Sequence, residues 1–143
     1  MNDRFSKTFE KNETHRFHLA QPCDNEVVVL VTRQTAKKAG FNPTDEFMIA
    51  VAASELATNI LRYAGEGEIT VSIIHNDGRH GIEIIALDKG PGIQDINLAM
   101  MEGFTTTEKS LGMGLPSVKK IMNEFEIESY PGVGTCVMAR KWF

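Results

Sequence analysis

A chain of 143 residues with 42% hydrophobic and 24% charged content has the makeup of one globular domain. Its net charge is −4, with no basic run interleaved with aromatics and no apolar stretch of membrane-spanning length, which argues against nucleic-acid and membrane partners. Cys23 and Cys136 are too few for a disulfide framework and lack metal-ligand spacing, and no apolar signal segment follows Met1-Asn2-Asp3-Arg4, so a reduced, cytoplasmic protein is expected.

Residues 1–12 are polar and read as flexible. From Thr14 to Leu19 the pattern alternates, with His15, Phe17 and Leu19 on one side, and predicts a strand that Pro22 ends. The segment Asp24–Ala39 has two readings. Its run Val27-Val28-Val29-Leu30-Val31 favours a strand, while Asp24 as a cap, Lys37 and Lys38 near the end and Gly40 as a left-handed stop favour a helix. The helix is preferred, because the run continues to Ala39 without a turn signal. A second helix follows, with Asn42 as N-cap, Pro43 as first residue, Asp45 and Glu46 in the first turn and Gly65 as the stop. In it Ile49, Ala53, Leu56 and Ile60 form a core stripe. Met48, Ala52, Glu55, Asn59 and Arg62 form a neighbouring one, so Glu55 and Asn59 stand one turn apart on a single face.

Ile69–His75 and Ile82–Asp88 read as strands of a hairpin joined through Asn76-Asp77-Gly78. A short helix is expected over 95–102, a polar loop over 104–111, and a further helix from about Gly114 to Glu124. Phe125–Tyr130 and Thr135–Trp142 make a closing hairpin around Pro131-Gly132-Val133-Gly134. The sum is an α/β two-layer sandwich: a mixed, mostly antiparallel sheet with helices on one face, in a single domain over 1–143.

Four motifs carry chemistry. In Glu55-Leu56-Ala57-Thr58-Asn59 an amide oxygen suits Mg²⁺ when phosphates and water complete the shell, and a carboxylate one turn away can take a hydroxyl proton. The same pair also fits the solvated face of a helix. Asp88-Lys89-Gly90-Pro91-Gly92 places a carboxylate at a strand end, where it can accept from the amine of adenine, beside glycines that admit a base; a plain turn is the other reading. Gly112-Met113-Gly114-Leu115 before a helix offers backbone N–H groups to phosphates, or simply caps the helix. It is no dinucleotide fingerprint, since Ser117 stands where a third glycine would be, and no phosphate-loop Gly-Lys-Ser/Thr follows. Gly134-Thr135 sets a hydroxyl at the start of the last strand, within possible reach of a base or as an ordinary strand residue. His15, His18, His75 and His80 are too scattered for a metal cluster.

With their flanks, Ser54 to Ile60 and Tyr63-Ala64-Gly65, Asp88 to Ile93, Gly112 to Val118, Met122 to Phe125, Gly134-Thr135 and Lys141-Trp142, these boxes resemble the GHKL ATPase/kinase superfamily. More narrowly they resemble the anti-sigma-factor-type serine/threonine kinases of bacterial partner-switching modules, above all the RsbT-type switch kinases. The resemblance runs from about Val27 to Trp142. It implies ATP and Mg²⁺ as cofactors, with Asn59 as the Mg²⁺ ligand and Glu55 as general base toward a serine or threonine hydroxyl. It further implies that Asp88 holds the adenine amine, that Gly90, Gly92 and Thr135 line or assist that pocket, and that Gly112, Gly114 and Leu115 lie at the phosphates, under a lid from Thr105 to Leu111. The substrate implied is a STAS-domain antagonist, and the later partner a phosphatase or other effector. Two departures stand out: the lid carries Glu108, Lys109 and Ser110, where Lys109 is read either as a contact to the γ-phosphate or as a solvated side chain, and Arg62 occupies a place where an uncharged residue is expected. Rival readings are an anti-sigma factor that sequesters a sigma subunit, a histidine-kinase fragment and a non-catalytic ATP-binding module.

Overall fold

Strand β1 (Glu10–Leu19) alternates exposed and half-buried residues until Leu19, which is fully buried, so His15, Phe17 and Leu19 do share the inward side. The computed structural model describes residues 10–93, 100 and 114–143. Glu10, Lys11 and Asn12, read above as part of a flexible arm, belong to β1 because its backbone pairs with β2 (Gly67–Asn76) from Glu10↔His75 to Leu19↔Gly67. Polar side chains on a sheet-edge strand disguise it as a loop in the sequence.

Helix α1 (Pro22–Ala39) takes the ambiguous valine run, and Gly40 ends it at φ 107°. Pro22 opens this helix as well as closing the strand region before it. Asp24 sits three residues inside the cap, where its Oδ2 accepts the N–H groups of Ala20 and Gln21, both at 2.8 Å. Those two bonds hold its carboxyl below the usual carboxylate range. Helix α2 (Pro43–Asn59) begins as its sequence dictates, with Asn42 Oδ1 accepting from the Asp45 N–H at 2.8 Å. Gly65 stops the helical run as expected, at φ 85°, but residues Ile60–Ala64 before it wind as a π-turn, closed by the Gly65 N–H donating to the Ile60 carbonyl at 2.9 Å.

Strand β2 turns into β3 (Arg79–Asp88) through Asp77 and Gly78, both at positive φ, which matches the twist of a two-residue hairpin. Helix α3 (Gly114–Ile121) stops short of the expected Glu124. There Asn123 leaves the helix to exchange bonds with β5 (Gly134–Trp142), donating to the Arg140 carbonyl at 2.8 Å and accepting the Trp142 N–H at 2.7 Å. Glu124 then opens β4 (Glu124–Tyr130). The expected helix over 95–102 falls outside the described residues except at Met100, as do the loop over 104–111, Lys109 and Gly112.

The sheet order is β1-β2-β3-β5-β4, and every described pairing is antiparallel. Ile69, Val71, Ile82, Ile84, Ala86, Val137 and Ala139 face the helices and meet Ile49, Ala53, Leu56 and Ile60 in one core. Each large aliphatic fully buried there contributes roughly 1.5–3 kcal/mol. On the opposite face Glu83, only 1% exposed, accepts from Arg140 Nε at 2.8 Å and has Lys11 Nζ at 2.8 Å. Arg140 also reaches Glu124, whose other oxygen accepts from the indole of Trp142 at 2.6 Å. Two cations balance two carboxylates, which is how a buried charge is tolerated under a sheet.

Candidate functional site

The sheet register sets one end of the site. Gly67, Asp88, Thr135 and Ser129 are consecutive partners across β2, β3, β5 and β4, forming a row at one end of the helix face. Gly67 keeps this row open to the helix layer, since a Cβ there would stand 2.7 Å from Ile60 Cγ2. Above the row lies a cavity of about 240 Å³. Leu56, Ile60, Ala86, Val137, Leu115 and Pro116 make its apolar walls, and Asn59, Tyr63, Asp88, Pro91, Gly92, Ile93, Gly114 and Thr135 complete it.

Hydrogen bonds fix the Asp88 end. One carboxylate oxygen of Asp88 accepts from the Gly90 N–H at 2.9 Å, which leaves the other oxygen to face an incoming donor. The loop after it is tied to the β4–β5 hairpin twice: Gly132 N–H donates to the Pro91 carbonyl at 2.7 Å, and Ile93 N–H donates to Ser129 Oγ at 2.6 Å. Ser129 Oγ lies 2.7 Å from Thr135 Oγ1. Gly92, at φ 80°, sits so close to β4 that a Cβ would be 2.5 Å from the Tyr130 carbonyl oxygen. Gly134 has the same constraint, its absent Cβ falling on the Asp88 carbonyl oxygen. Gly90 is not a wall of the cavity; it packs under the π-turn, with Ala64 Cβ 2.6 Å from where its own Cβ would be.

At the other end α2 supplies the polar groups. Glu55 is half-buried, and Asn59 follows one turn later. A Cβ on Gly114 at the start of α3 would be 3.7 Å from Asn59 Oδ1 and 4.0 Å from Glu55 Oε2, so the three meet at one point. Desolvation pushes the Glu55 carboxyl above its ordinary value, and the positive charge of Arg62 opposes that rise. The π-turn decides which later residue faces the cavity: Tyr63 lines it, whereas Arg62 is exposed outside it. Asn25 Nδ2 donates to Thr58 Oγ1 at 3.3 Å and anchors this end of α2 to α1.

Glu55, Asn59, Asp88, Gly92, Gly114, Leu115 and Thr135 are thus brought together. Ser129, not singled out in the sequence, and Tyr63, noted there only as a flank of the first motif, joined them. The turn length of the last hairpin, which pairs Ser129 with Thr135, was the signal for the first; nothing in helical periodicity foretells the second. The donor set fits an adenine nucleotide: a slot with apolar walls, an oriented acceptor at Asp88, and a glycine at the helix start. It also fits Mg²⁺ held mainly by phosphate and water, because Asn59 offers one oxygen and no cluster of three His, Cys, Asp or Glu occurs among the described residues.

Comparison with known proteins agrees with this geometry. The model of the histidine kinase-like ATPase domain matches residues 20–141. The serine/threonine-protein kinase RsbT of Bacillus subtilis is 47% identical over 110 residues, 77% of this chain and 82% of that protein. An anti-sigma F factor of Caldanaerobacter subterraneus is 40% identical over 111 residues, 73% of this chain and 76% of that one. Among solved structures, the SiaB-SiaC complex from Pseudomonas aeruginosa shares the fold at TM-score 0.54 and 13% identity, covering 93% of this chain and 91% of its own. The chain belongs to the histidine kinase-like ATPase family, and its relatives put it among the serine/threonine-protein kinases and anti-sigma factors of that family. Membership carries the binding of ATP. Among the described residues no helix is long and apolar enough to cross a membrane.

Proposed function

We propose that this chain, as a single domain working in the cytoplasm, transfers the γ-phosphoryl group of ATP to a serine or threonine hydroxyl of a STAS-domain antagonist. After release it engages a downstream effector such as a phosphatase. The observation that carries the reading is the meeting of Glu55, Asn59 and Gly114 at the mouth of a cavity whose far wall holds Asp88 and Thr135. Phosphoryl transfer asks mainly for positioning and charge neutralisation, and this arrangement divides those tasks.

Asp88 accepts the exocyclic amine of the base, and Leu56, Ile60, Ala86 and Val137 exclude water from its faces. The backbone at Gly114, beside Asn59 and Glu55, offers its N–H to the phosphates. Asn59 offers Oδ1 to Mg²⁺, which supplies charge neutralisation at the phosphate oxygens when bound. Glu55 accepts the proton of the attacking hydroxyl, a task helped by its raised proton affinity. Lys109 and Gly112 complete the phosphate end in this reading.

The test mixes the purified chain with MgATP and a STAS-domain protein and looks for acid-stable phosphate on the latter. Asn59→Ala should abolish the Mg²⁺-dependent part of ATP binding in calorimetry; an unchanged dependence removes Asn59 as the ligand. The 40% identity to an anti-sigma F factor supports a second reading, in which the chain also sequesters a sigma subunit. Binding to purified sigma subunits, measured against binding to the STAS protein, separates the two.

A further inference from the structure

We propose that His75 and His80 form an exchangeable site for a transition-metal ion of the Zn²⁺, Ni²⁺ or Cu²⁺ class, at the end of the sheet away from the nucleotide cavity.

Four histidines spread along the sequence show no ligand spacing, but the β2–β3 hairpin brings two of them together. Its two-residue turn, Asp77-Gly78, is closed by the pair Asn76↔Arg79, so His75↔His80 is the next rung. In a hairpin of this length the closing pair exchanges both backbone hydrogen bonds and the next pair exchanges none. There the side chains approach most closely, with Cα atoms about 4.5 Å apart. Both histidines keep the phase of Val71, Ile73, Ile82 and Ile84, so both rings stand on the helix-facing side of the sheet. Gly67, in the row of Asp88 and Thr135, is eight residues back along β2 from His75. That is a distance of about 27 Å.

The spacing of the rings suits one ion. Two imidazoles bound to an ion at about 2.1 Å have ring centres about 3.2 Å from it, hence about 4.5 Å apart at a right angle and about 5.2 Å apart at the tetrahedral angle. The His75 and His80 centroids are 4.7 Å apart, at an interplanar angle of 77°. His80 is exposed, and rotation about its side-chain bonds turns a nitrogen to the shared point. His75 is half-buried, and its Nε2 lies 2.8 Å from the side-chain amide of Asn12, at the bulge of β1. Whichever way that amide is turned, it engages Nε2 and leaves Nδ1 to a ligand, the kind of orienting contact that metal-bound histidines usually have. Neutral imidazole nitrogen suits Zn²⁺, Ni²⁺ and Cu²⁺ and offers little to Mg²⁺, which asks for oxygen. Among the described residues no third His, Cys, Asp or Glu completes a group, so water fills the remaining positions and the ion stays exchangeable. Glu10, the register partner of His75 on β1, adds a negative charge to the approach.

The test titrates Zn²⁺ by calorimetry into the full chain, free of any added histidine tag and in excess Mg²⁺. One ion should bind per chain. His75→Ala and His80→Ala should each weaken binding about tenfold or more, since even a group that only orients a ligand contributes roughly 10–100-fold. The double variant should be little worse than either single one, because the two nitrogens act as a unit. His15→Ala and His18→Ala should leave the titration unchanged. A second readout needs no substitution: Cu²⁺, added well below one equivalent, should broaden the ring-proton NMR signals of His75 and His80 before those of His15 and His18. Thermal melting without metal verifies that each variant is folded, and the order of broadening decides the matter if one is not. Equal titrations for the parent and His80→Ala, loss of binding in His15→Ala or His18→Ala, or broadening of all four histidines together overturns the site. The nucleotide reading stands or falls separately, on ATP binding at the other end of the sheet.

Discussion

The two ends of the cavity are built by different means. At the end proposed for the base, each group is held by the sheet: Asp88, Thr135 and Ser129 are register partners, and the loop over them is pinned at Pro91 and Ile93. At the end proposed for the phosphates, Glu55 and Asn59 project from one helix, and among the described residues neither side chain is tied by a hydrogen bond. A binding end gains from rigidity, because preorganisation lowers the ordering cost of holding a base. On the proposed function the transfer end must accept a second molecule and a moving proton, which suits groups held by the helix backbone with no hydrogen bond to another described side chain.

Glu55→Gln breaks the transfer end most completely. Phosphate transfer should fall by roughly 10²–10⁴-fold, the usual share of a general base, with ATP affinity little changed. Stability should move the other way. A carboxylate whose folded-state value is raised binds its proton more tightly in the folded chain, so stability is greatest below the ordinary value near 4.5 and declines as pH rises through the window above it. Glutamine removes that decline. The variant should melt no lower than the parent at neutral pH, and a clear loss of melting temperature there would mean that Glu55 is structural.

Gly92→Ala breaks the base end instead. At φ 80° an alanine is strained, and its Cβ would meet backbone rather than a flexible side chain. The cost should be about 1–3 kcal/mol of stability. Because the displaced loop carries Pro91 and Ile93, ATP affinity should fall with it, while transfer from ATP at saturation persists. Equal ATP titration curves for the variant and the parent would show that the loop is not part of the pocket.

The difference between the ends also explains what could be read in advance. Asp88, Gly92 and Thr135 announce themselves, because strand ends and turn glycines have local rules. So does the Glu55–Asn59 pair, which needs only a period of 3.6 residues. Ser129 was hidden, as its partner lies six residues on and becomes visible only once the hairpin register is known. Tyr63 stood among the flanks of the first motif, but its place on the cavity was hidden for a different reason. An α-helical continuation would keep Arg62 on the Glu55–Asn59 face, but the π-turn puts Tyr63 on the cavity instead, and that turn is dictated by tertiary fit: Ala64 has to settle on Gly90, and Ile60 on Gly67. Glu10 to Asn12 failed for a third reason, since strand order there comes from pairing rather than from hydrophobic side chains.

Arg62 allows the finest test of the comparison. It is outside the cavity, so it does not shape the base end, yet its charge reaches Glu55 and opposes the effect of desolvation. In Arg62→Gln the opposing charge is gone, and the Glu55 proton should be held more tightly still. The acid limb of the transfer rate should then move to higher pH, so that the variant loses activity first on the acidic side and recovers toward the parent as pH rises. Since Arg62 is exposed and screened by solvent and salt, the displacement should be small and should shrink as ionic strength increases. A uniform loss of activity at every pH, accompanied by weaker ATP binding, would instead place the guanidinium on the phosphates. In that case Arg62 would belong to the phosphate end as a contact rather than as a distant charge.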